Sequence, residues 1–180
     1  LFRSIIIFSR NNFPNNDAGA VRDFAFAKIY LSLGYEVSCI CLNNKIERAN
    51  YYGVDYFSLY VPSINLFSKI TSEFGYIKRM KKVLKEFNFK NIEAFHIVDI
   101  PLNAILYLRK IALKKNIKLY HDSVEYYSPS NFKNGIFSFG YINKMILNNI
   151  IIDKAFHVYT ISKYLDRHFI KRGLSTLNIP

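Results

Sequence analysis

The sequence predicts an α/β protein built as a doubly wound, mostly parallel sheet with helices on both faces. Three observations carry that prediction. Short β-branched runs alternate with longer stretches whose apolar residues recur at helical spacing. The runs are apolar throughout, as strands covered on either side are. The connections are mostly short, which favours repeated β-α-β units.

Each element follows from local pattern. Residues 3–9 (RSIIIFS) are a continuous β-branched run suited to a buried strand. After an Asn-rich loop (Asn11, Asn12, Asn15, Asn16), Gly19 opens a helix on which Ala20, Phe24, Ala27 and Leu31 recur, and Gly34 stops it. Residues 36–42 (EVSCICL) form a second strand, and 56–61 a third that ends before Pro62. From there Leu66, Ile70, Phe74, Ile77, Met80, Leu84 and Phe87 step by three and four, the mark of a long amphipathic helix whose other faces are basic. Residues 92–98 make a strand, 101–115 a helix with Pro101 near its first turn, and 117–120 a short strand ending at His121. A less regular helix covers 139–154 and a strand 155–161. Ser162 then caps a helix that runs to Arg172 and ends at Gly173, and 176–179 adds a last strand.

Composition narrows the class. A chain of 180 residues fits about one domain of roughly 150 residues, large enough to bury its own core, and no internal boundary or repeat is visible. With 51% hydrophobic, 17% aromatic and 21% charged residues, it is neither disordered nor of low complexity. The longest charge-free run, residues 56–68, is shorter than the ~20 residues of a membrane span. The apolar opening is too short for a secretory signal, and Leu1 in place of an initiator Met suggests an excised stretch. Cys39 and Cys41, two apart in a strand, point to one face at poor disulfide geometry and read as buried cytoplasmic thiols.

In doubly wound sheets ligands bind beyond the carboxyl ends of the strands. The loops at 9–19, 98–101, 121–128 and 161–162 should therefore converge on one crevice. In the first loop, Gly19 at a helix N-terminus permits a phosphate or sugar to approach bare backbone N–H groups, and Arg22 on the first turn can clamp an anion. The other reading is a helix start that needs a small residue, with Arg22 solvated or paired to Asp17 or Asp23. Neither GxGxxG nor GxxxxGK[ST] is present, so dinucleotide and P-loop readings lose their fingerprints. The second cluster is His121-Asp122-Ser123-Val124-Glu125-Tyr126-Tyr127, whose donors and acceptors suit sugar hydroxyls or phosphate oxygens. A structural histidine bonded to a loop carbonyl is the alternative for His121. No HxxxH or Cys/His cluster suggests a metal site.

The joint order of Pro14, Gly19, Arg22, Ala27, Leu33-Gly34-Tyr35-Glu36-Val37, His121-Asp122-Ser123-Val124-Glu125, Thr160-Ile161-Ser162-Lys163-Tyr164-Leu165, Arg172-Gly173 and Asn178-Ile179-Pro180 resembles the N-terminal half of family-4 retaining glycosyltransferases of the GT-B type. The resemblance implies that residues 1–180 are a single Rossmann-like, acceptor-side domain, with a C-terminal donor-binding domain absent from this chain. A nucleotide-sugar would be the co-substrate, bound mainly by that other domain, with no further cofactor. A glycan or lipid-linked acceptor in cell-surface polysaccharide synthesis would take the sugar. Gly19 would lie near donor phosphates or acceptor and His121 would contact the transferred sugar; Arg22, Asp122, Glu125 and Ser162 complete the expected binding set. The acceptor hydroxyl would attack the sugar C1 on the face from which the nucleotide departs, and the departing phosphate would take the proton. Two positions depart from the family: Ala18-Gly19 where a Gly-Gly pair is common, and Gly34-Tyr35 where Gly-His is common. With half of an interdomain crevice, the isolated chain is expected to be inactive.

The charge completes the reading. Twenty-five Lys+Arg against 13 Asp+Glu give a formal net charge of +12. Lys78, Lys82 and Lys85 line the long helix with Lys69, Arg79 and Lys81, and Arg109, Lys110, Lys114, Lys115 and Lys118 surround the next helix and strand. Such stripes suit an anionic membrane surface, or are simply solvated; nucleic acid ranks last because no RNP1, KH or zinc-finger pattern appears. The expected location is cytoplasmic, peripheral on the inner membrane face. Two competing readings stand: a non-catalytic α/β binding domain whose basic surface serves an anionic partner, and a nucleotide-dependent enzyme of another doubly wound family.

Overall fold

The structure, a computed structural model, describes residues 3–14, 17–42, 47–59, 66–125 and 128–179, with the backbone alone for 66–73. The expectations for Asn15, Asn16, Pro62, Tyr126, Tyr127 and Pro180, for the last two residues of the predicted third strand, and for the side chains of Leu66, Lys69 and Ile70 lie outside the described residues.

Two compact units are present, Leu1–Ile117 and Lys118–Pro180. The first contains β1 (Ser4–Phe8), α1 (Ala18–Ser32), β2 (Glu36–Cys41), β3 (Glu47–Tyr51), β4 (Val54–Ser58), α2 (Leu66–Leu84), β5 (Ile92–Ile97) and α3 (Leu102–Lys115). Its strands lie in the order β3-β4-β2-β1-β5, all parallel except β3, which pairs antiparallel with β4. The second contains β6 (Lys118–Ser123), α4 (Phe139–Ile146), β7 (Phe156–Thr160), α5 (Lys163–Lys171) and β8 (Ser175–Asn178), with β7 parallel to both β6 and β8. The architecture is α/β, Rossmann-like and mostly parallel, as the alternating pattern predicts.

In the first unit the winding explains the layers. From β1 the chain steps through α1 to β2 on one side, and from β4 it returns through α2 to β5 on the other side of β1. Right-handed crossovers in opposite directions put their helices on opposite faces. The direction of winding therefore reverses between β1 and β5. Four consecutive β1 residues, Ile5 to Phe8, are buried, and the Phe8 ring meets Phe95 of β5 edge-on at 5.2 Å.

Some boundaries differ from the sequence pattern, each for a local reason. β3 was not predicted, because ERANY alternates between half-buried and exposed positions and carries little apolar signal. It is joined to β4 by Tyr52 and Gly53, with φ of 47° and 87°, the mirror-image two-residue turn that suits a hairpin. On α2 the buried set is Tyr76, Met80 and Leu84, and Phe74 is exposed, so the inward face is rotated from the one the apolar spacing marks. β6 runs three residues past Tyr120, which places His121 inside the strand. The predicted helix over 139–154 is a regular helix only to Ile146; residues Leu147–Ile151 widen into a π-helical turn.

That widened turn has a keeper. Arg172, the residue after α5, donates to the carbonyls of Asn148, Asn149 (2.8 Å) and Ile152 (2.9 Å). These are carbonyls a helix C-terminus leaves without intrahelical partners, and a cation there is favoured. Burial pulls the guanidinium pKa down and Asp153 opposes it. Arg172→Met is expected to cost about 1–2 kcal/mol, read as a lower urea midpoint for the chain.

Cys39 and Cys41 are free and buried. The Cys39 pKa stands well above the ordinary 9.0, chiefly through its hydrogen bond with Cys41 and then through burial; burial likewise raises Tyr76. A raised folded-state pKa gives stability that is present below the unfolded value and lost as pH rises toward the folded one. Neither thiol should react with a disulfide reagent until the chain is denatured, and the thermal midpoint should fall as pH climbs above about 9.

Candidate functional site

In the first unit the informative edge is the carboxyl end of β1 and β5, where the winding reverses. Ser9, fully buried, continues β1 by donating its N–H to the Ile40 carbonyl at 3.0 Å, and its hydroxyl accepts the Asn11 N–H at 2.9 Å. Arg10 crosses the reversal point: its guanidinium donates to the Asp99 carbonyl (3.1 Å) and carboxylate (2.9 Å) just beyond β5. Beneath the edge lies the buried Tyr76 ring, whose hydroxyl has no hydrogen-bond partner among the described residues. Arg10 and Asp99 both act electrostatically on that phenol. Sequence reading passed over Ser9, Arg10, Asp99 and Tyr76. The available signal was position: Arg10 and Asp99 each follow a strand whose neighbour is the other.

The loop from β1 to α1 is held by its own side chains. Phe13, fully buried, packs against the rings of Phe24, Tyr51 and Tyr56 at 5.6–6.1 Å. Asp17 caps α1, its carboxylate accepting from Ala20 N at 2.6 Å and from Asn12 N at 3.1 Å. Asn11 reaches across to the buried Asp23, Nδ2 to Oδ2 2.9 Å.

Gly19 sits where this carboxamide passes. A Cβ on Gly19 would come within 2.3–2.6 Å of the Asn11 amide atoms, closer than carbon can approach. Gly19 is thus needed for the Asn11–Asp23 bond whether or not a phosphate ever comes near. Arg22, half-buried one turn on, lays its guanidinium over the Phe26 ring at 5.1 Å. Asp17 puts a carboxylate at the positive end of α1, so an anion arriving there would compete with it.

In the second unit the corresponding edge lies beyond β6, β7 and β8. His121 and Asp122 are 4% and 3% exposed, side by side on β6 opposite Val158 and Tyr159 of β7. Alternation along the strand sends them to opposite faces, and His121 and Ser123 share a face. Glu125, two residues past the strand, is exposed. Ser162 is half-buried and caps α5, its hydroxyl accepting the Leu165 N–H at 3.3 Å. Asn178 on β8 donates to the Thr160 carbonyl (2.8 Å) and hydroxyl (3.2 Å), closing the edge between the two strands. Thr160 and Asn178 were not singled out from sequence. Of the expected residues, His121, Asp122, Glu125 and Ser162 belong to this unit, and Gly19 and Arg22 to the first.

The remaining histidine of the described strands in the first unit is a core group. His96 of β5 is fully buried, its Nδ1 2.8 Å from the Tyr30 hydroxyl and its ring edge-on to Phe26 at 4.6 Å. Among the described residues no group of three or more His, Cys, Asp or Glu side chains is disposed to hold a metal ion.

No protein-family model matches the sequence, and no curated protein matches it. Solved structures do. A sucrose-phosphate synthase from Thermosynechococcus elongatus superposes with a TM-score of 0.69 at 12% identity over 99% of this chain, which spans about half (48%) of that one. A second structure of sucrose-phosphate synthase from the same organism gives a TM-score of 0.60 at 11% identity, covering 98% of this chain and 88% of that one. At such identities the likeness is one of fold.

Gly19→Ala is expected to destabilise the chain by about 1–3 kcal/mol through the clash with Asn11. Thermal unfolding of Gly19→Ala, Asn11→Ala and the double variant checks it: the double should lose clearly less than the sum of the singles.

Proposed function

We propose that this chain is the N-terminal, acceptor-binding domain of a retaining glycosyltransferase of GT-B type, in family 4. Its parent would move a sugar from a nucleotide-sugar to a glycan or lipid-linked acceptor of a cell-surface polysaccharide, working at the cytoplasmic face of the membrane. The observation that carries the reading is the fold likeness, over 99% of the chain, to a sucrose-phosphate synthase, itself a GT-B glycosyltransferase. The order of residues that resembles family 4 supports the finer assignment. Residues 1–180 are then one half of the enzyme, and a donor-binding domain supplies the other.

Within that reading, His121 hydrogen-bonds the transferred sugar, and Asp122, Glu125 and Ser162 serve the substrates from β6 and the start of α5. Gly19 and Arg22 serve acceptor or phosphate from the start of α1. The protein's contribution is orientation and fixed charge around a leaving phosphate that takes the acceptor proton itself. A second reading, a non-catalytic α/β binding domain with a basic surface, has one observation on its side: His121 and Asp122 are almost wholly buried, as structural residues are.

Titration of the intact parent with UDP- and GDP-sugars discriminates between them. The parent is expected to transfer sugar and the isolated 180 residues are not. His121→Ala in the parent should lower turnover by about a hundredfold or more, measured at a temperature where the variant, which loses a buried side chain, is still fully folded. Transfer by the isolated chain, or full turnover by His121→Ala, would overturn the assignment.

A further inference from the structure

Two adjoining hollows open at the amino-terminal edge of the first unit, at the other end of the strands from the edge where substrates are expected. The larger, of about 440 Å³, falls within the size range of small-ligand sites and is floored by β2 and β4. In the sheet register Ser4 lies beside Glu36, Ser38 beside Asp55 and Arg48 beside Phe57, so alternation brings all six side chains to one face. α2 ends at Leu84, and Glu86 to Asn88 after it form a further wall. Toward the carboxyl ends the same face is apolar and covered, as at Ile40 and Phe57. Over the amino ends it carries carboxylates and hydroxyls and stays open.

The lining is rich in acceptors. Glu36, Asp55 and Glu86 bring three carboxylates, and among the described lining residues Arg48 is the one cation. Arg48 donates to Glu86 at 3.0 Å while its guanidinium covers the Phe57 ring at 4.7 Å. Glu36 accepts from the Ser4 hydroxyl at 3.3 Å and Asp55 from the Asn50 amide at 2.9 Å, which leaves acceptor capacity on both carboxylates. A ligand seated here has to bring donors, and three negative charges against one positive repel an anion. Phosphates, nucleotides and uronates are thereby disfavoured, and hydroxyls together with an ammonium are favoured.

The second hollow, of about 290 Å³, shares Leu31 with the first and is otherwise lined by Phe24, Lys28 and Tyr52. Tyr52 is 78% exposed, its ring edge-on to Tyr51 at 4.8 Å and 6.1 Å from Phe24. It takes the first central position of the β3–β4 turn at φ 47°, where asparagine, aspartate or glycine fit readily and a bulky residue is strained. A smaller residue would serve the turn better, so what the ring faces has to explain it. An exposed aromatic face beside acceptor-rich groups complements a sugar ring, apolar on its C–H face and hydroxylated at its rim. Lys28 lies over Phe24 at 5.9 Å, so the positive charge of a ligand belongs on the Glu36 side.

We propose that the two hollows form a glycan-binding subsite for an amino sugar. Tyr52 lies under one sugar ring, and Glu36 and Asp55 take the ammonium and hydroxyls of its neighbour. The choice of a sugar over a simple polyamine rests on Tyr52 and on the reading of the parent as a glycan-building enzyme. Binding by this chain needs no sugar transfer, so the two can fail separately.

Calorimetric titration of the chain at low salt, below the pKa of the sugar amine, tests the subsite with three tetrasaccharides: that of glucosamine (the chitosan repeat), its N-acetylated counterpart from chitin, and cellotetraose. The glucosamine tetramer is expected to bind, and the other two at least about tenfold more weakly. Glu36→Gln and Tyr52→Asn should each weaken the glucosamine tetramer by about tenfold. Tyr52→Asn should do so with an unfolding midpoint unchanged or raised, because asparagine suits the turn. Absence of binding would overturn the proposal, as would binding untouched by both changes or equal binding of the N-acetylated tetramer. Spermidine bound as tightly as the glucosamine tetramer would overturn it by making the ligand a simple polyamine. A lowered midpoint in Tyr52→Asn would also overturn it, by explaining the tyrosine through the fold.

Discussion

The constraint on which the first unit depends is the burial of β1 between two parallel neighbours. Ser4 to Phe8 pair with Glu36 to Ile40 on one side and with β5 on the other, and the side chains of Ile5 to Phe8 are withdrawn from water on both faces. Each such side chain contributes about 1.5–3 kcal/mol, an upper figure because the unfolded chain already hides part of it. A one-residue slip would exchange the faces of every residue at once. The position of β1 in turn determines what its carboxyl end presents. Ser9 and Val98 extend the ladder by one bond each, donating their N–H groups to the carbonyls of Ile40 and Phe8, so the chain leaves the sheet at Arg10 with Asp99 directly beside it. The ion pair there is a consequence of strand order rather than a cause of it, since both side chains are more than a third exposed and such pairs contribute little.

Legibility in the sequence follows the same physics. Buried parallel strands announce themselves as apolar runs, and β1, β2 and β5 were placed to within a residue. Helix ends with a glycine in the left-handed region were equally plain: Gly34 and Gly173 have φ of 84° and 73°. What escaped was decided by contacts distant in sequence. β3 has no apolar run because it is an edge strand, joined to the sheet only through β4. The α1 cap went to Asp17 because its carboxylate reaches both Ala20 and Asn12, which no local pattern states. At Gly19 the need for a missing side chain was legible, but its structural reason, the Asn11 carboxamide, lies eight residues upstream. His121 illustrates the cost of a boundary error: ending β6 at Tyr120 made it a loop residue, whereas pairing with β7 continues through Ser123 and buries it.

That burial bears on how each edge could work. In the first unit the polar groups nearest the strand ends are already engaged with one another: Asn11 with Asp23, Asp17 with the α1 amides, Arg10 with Asp99. Such preorganisation fixes donors in place before any ligand arrives, at the cost that an anionic ligand must compete with Asp17. The Tyr76 hydroxyl is the exception, a buried donor still to be answered among the described residues, and buried polar groups are rarely left so. In the second unit Thr160 and Asn178 stitch β7 to β8, and the first turn of α5 opens immediately beyond them at Ser162. A positive helix end beside an edge already satisfied internally is suited to orienting a polar ligand more than to binding it tightly.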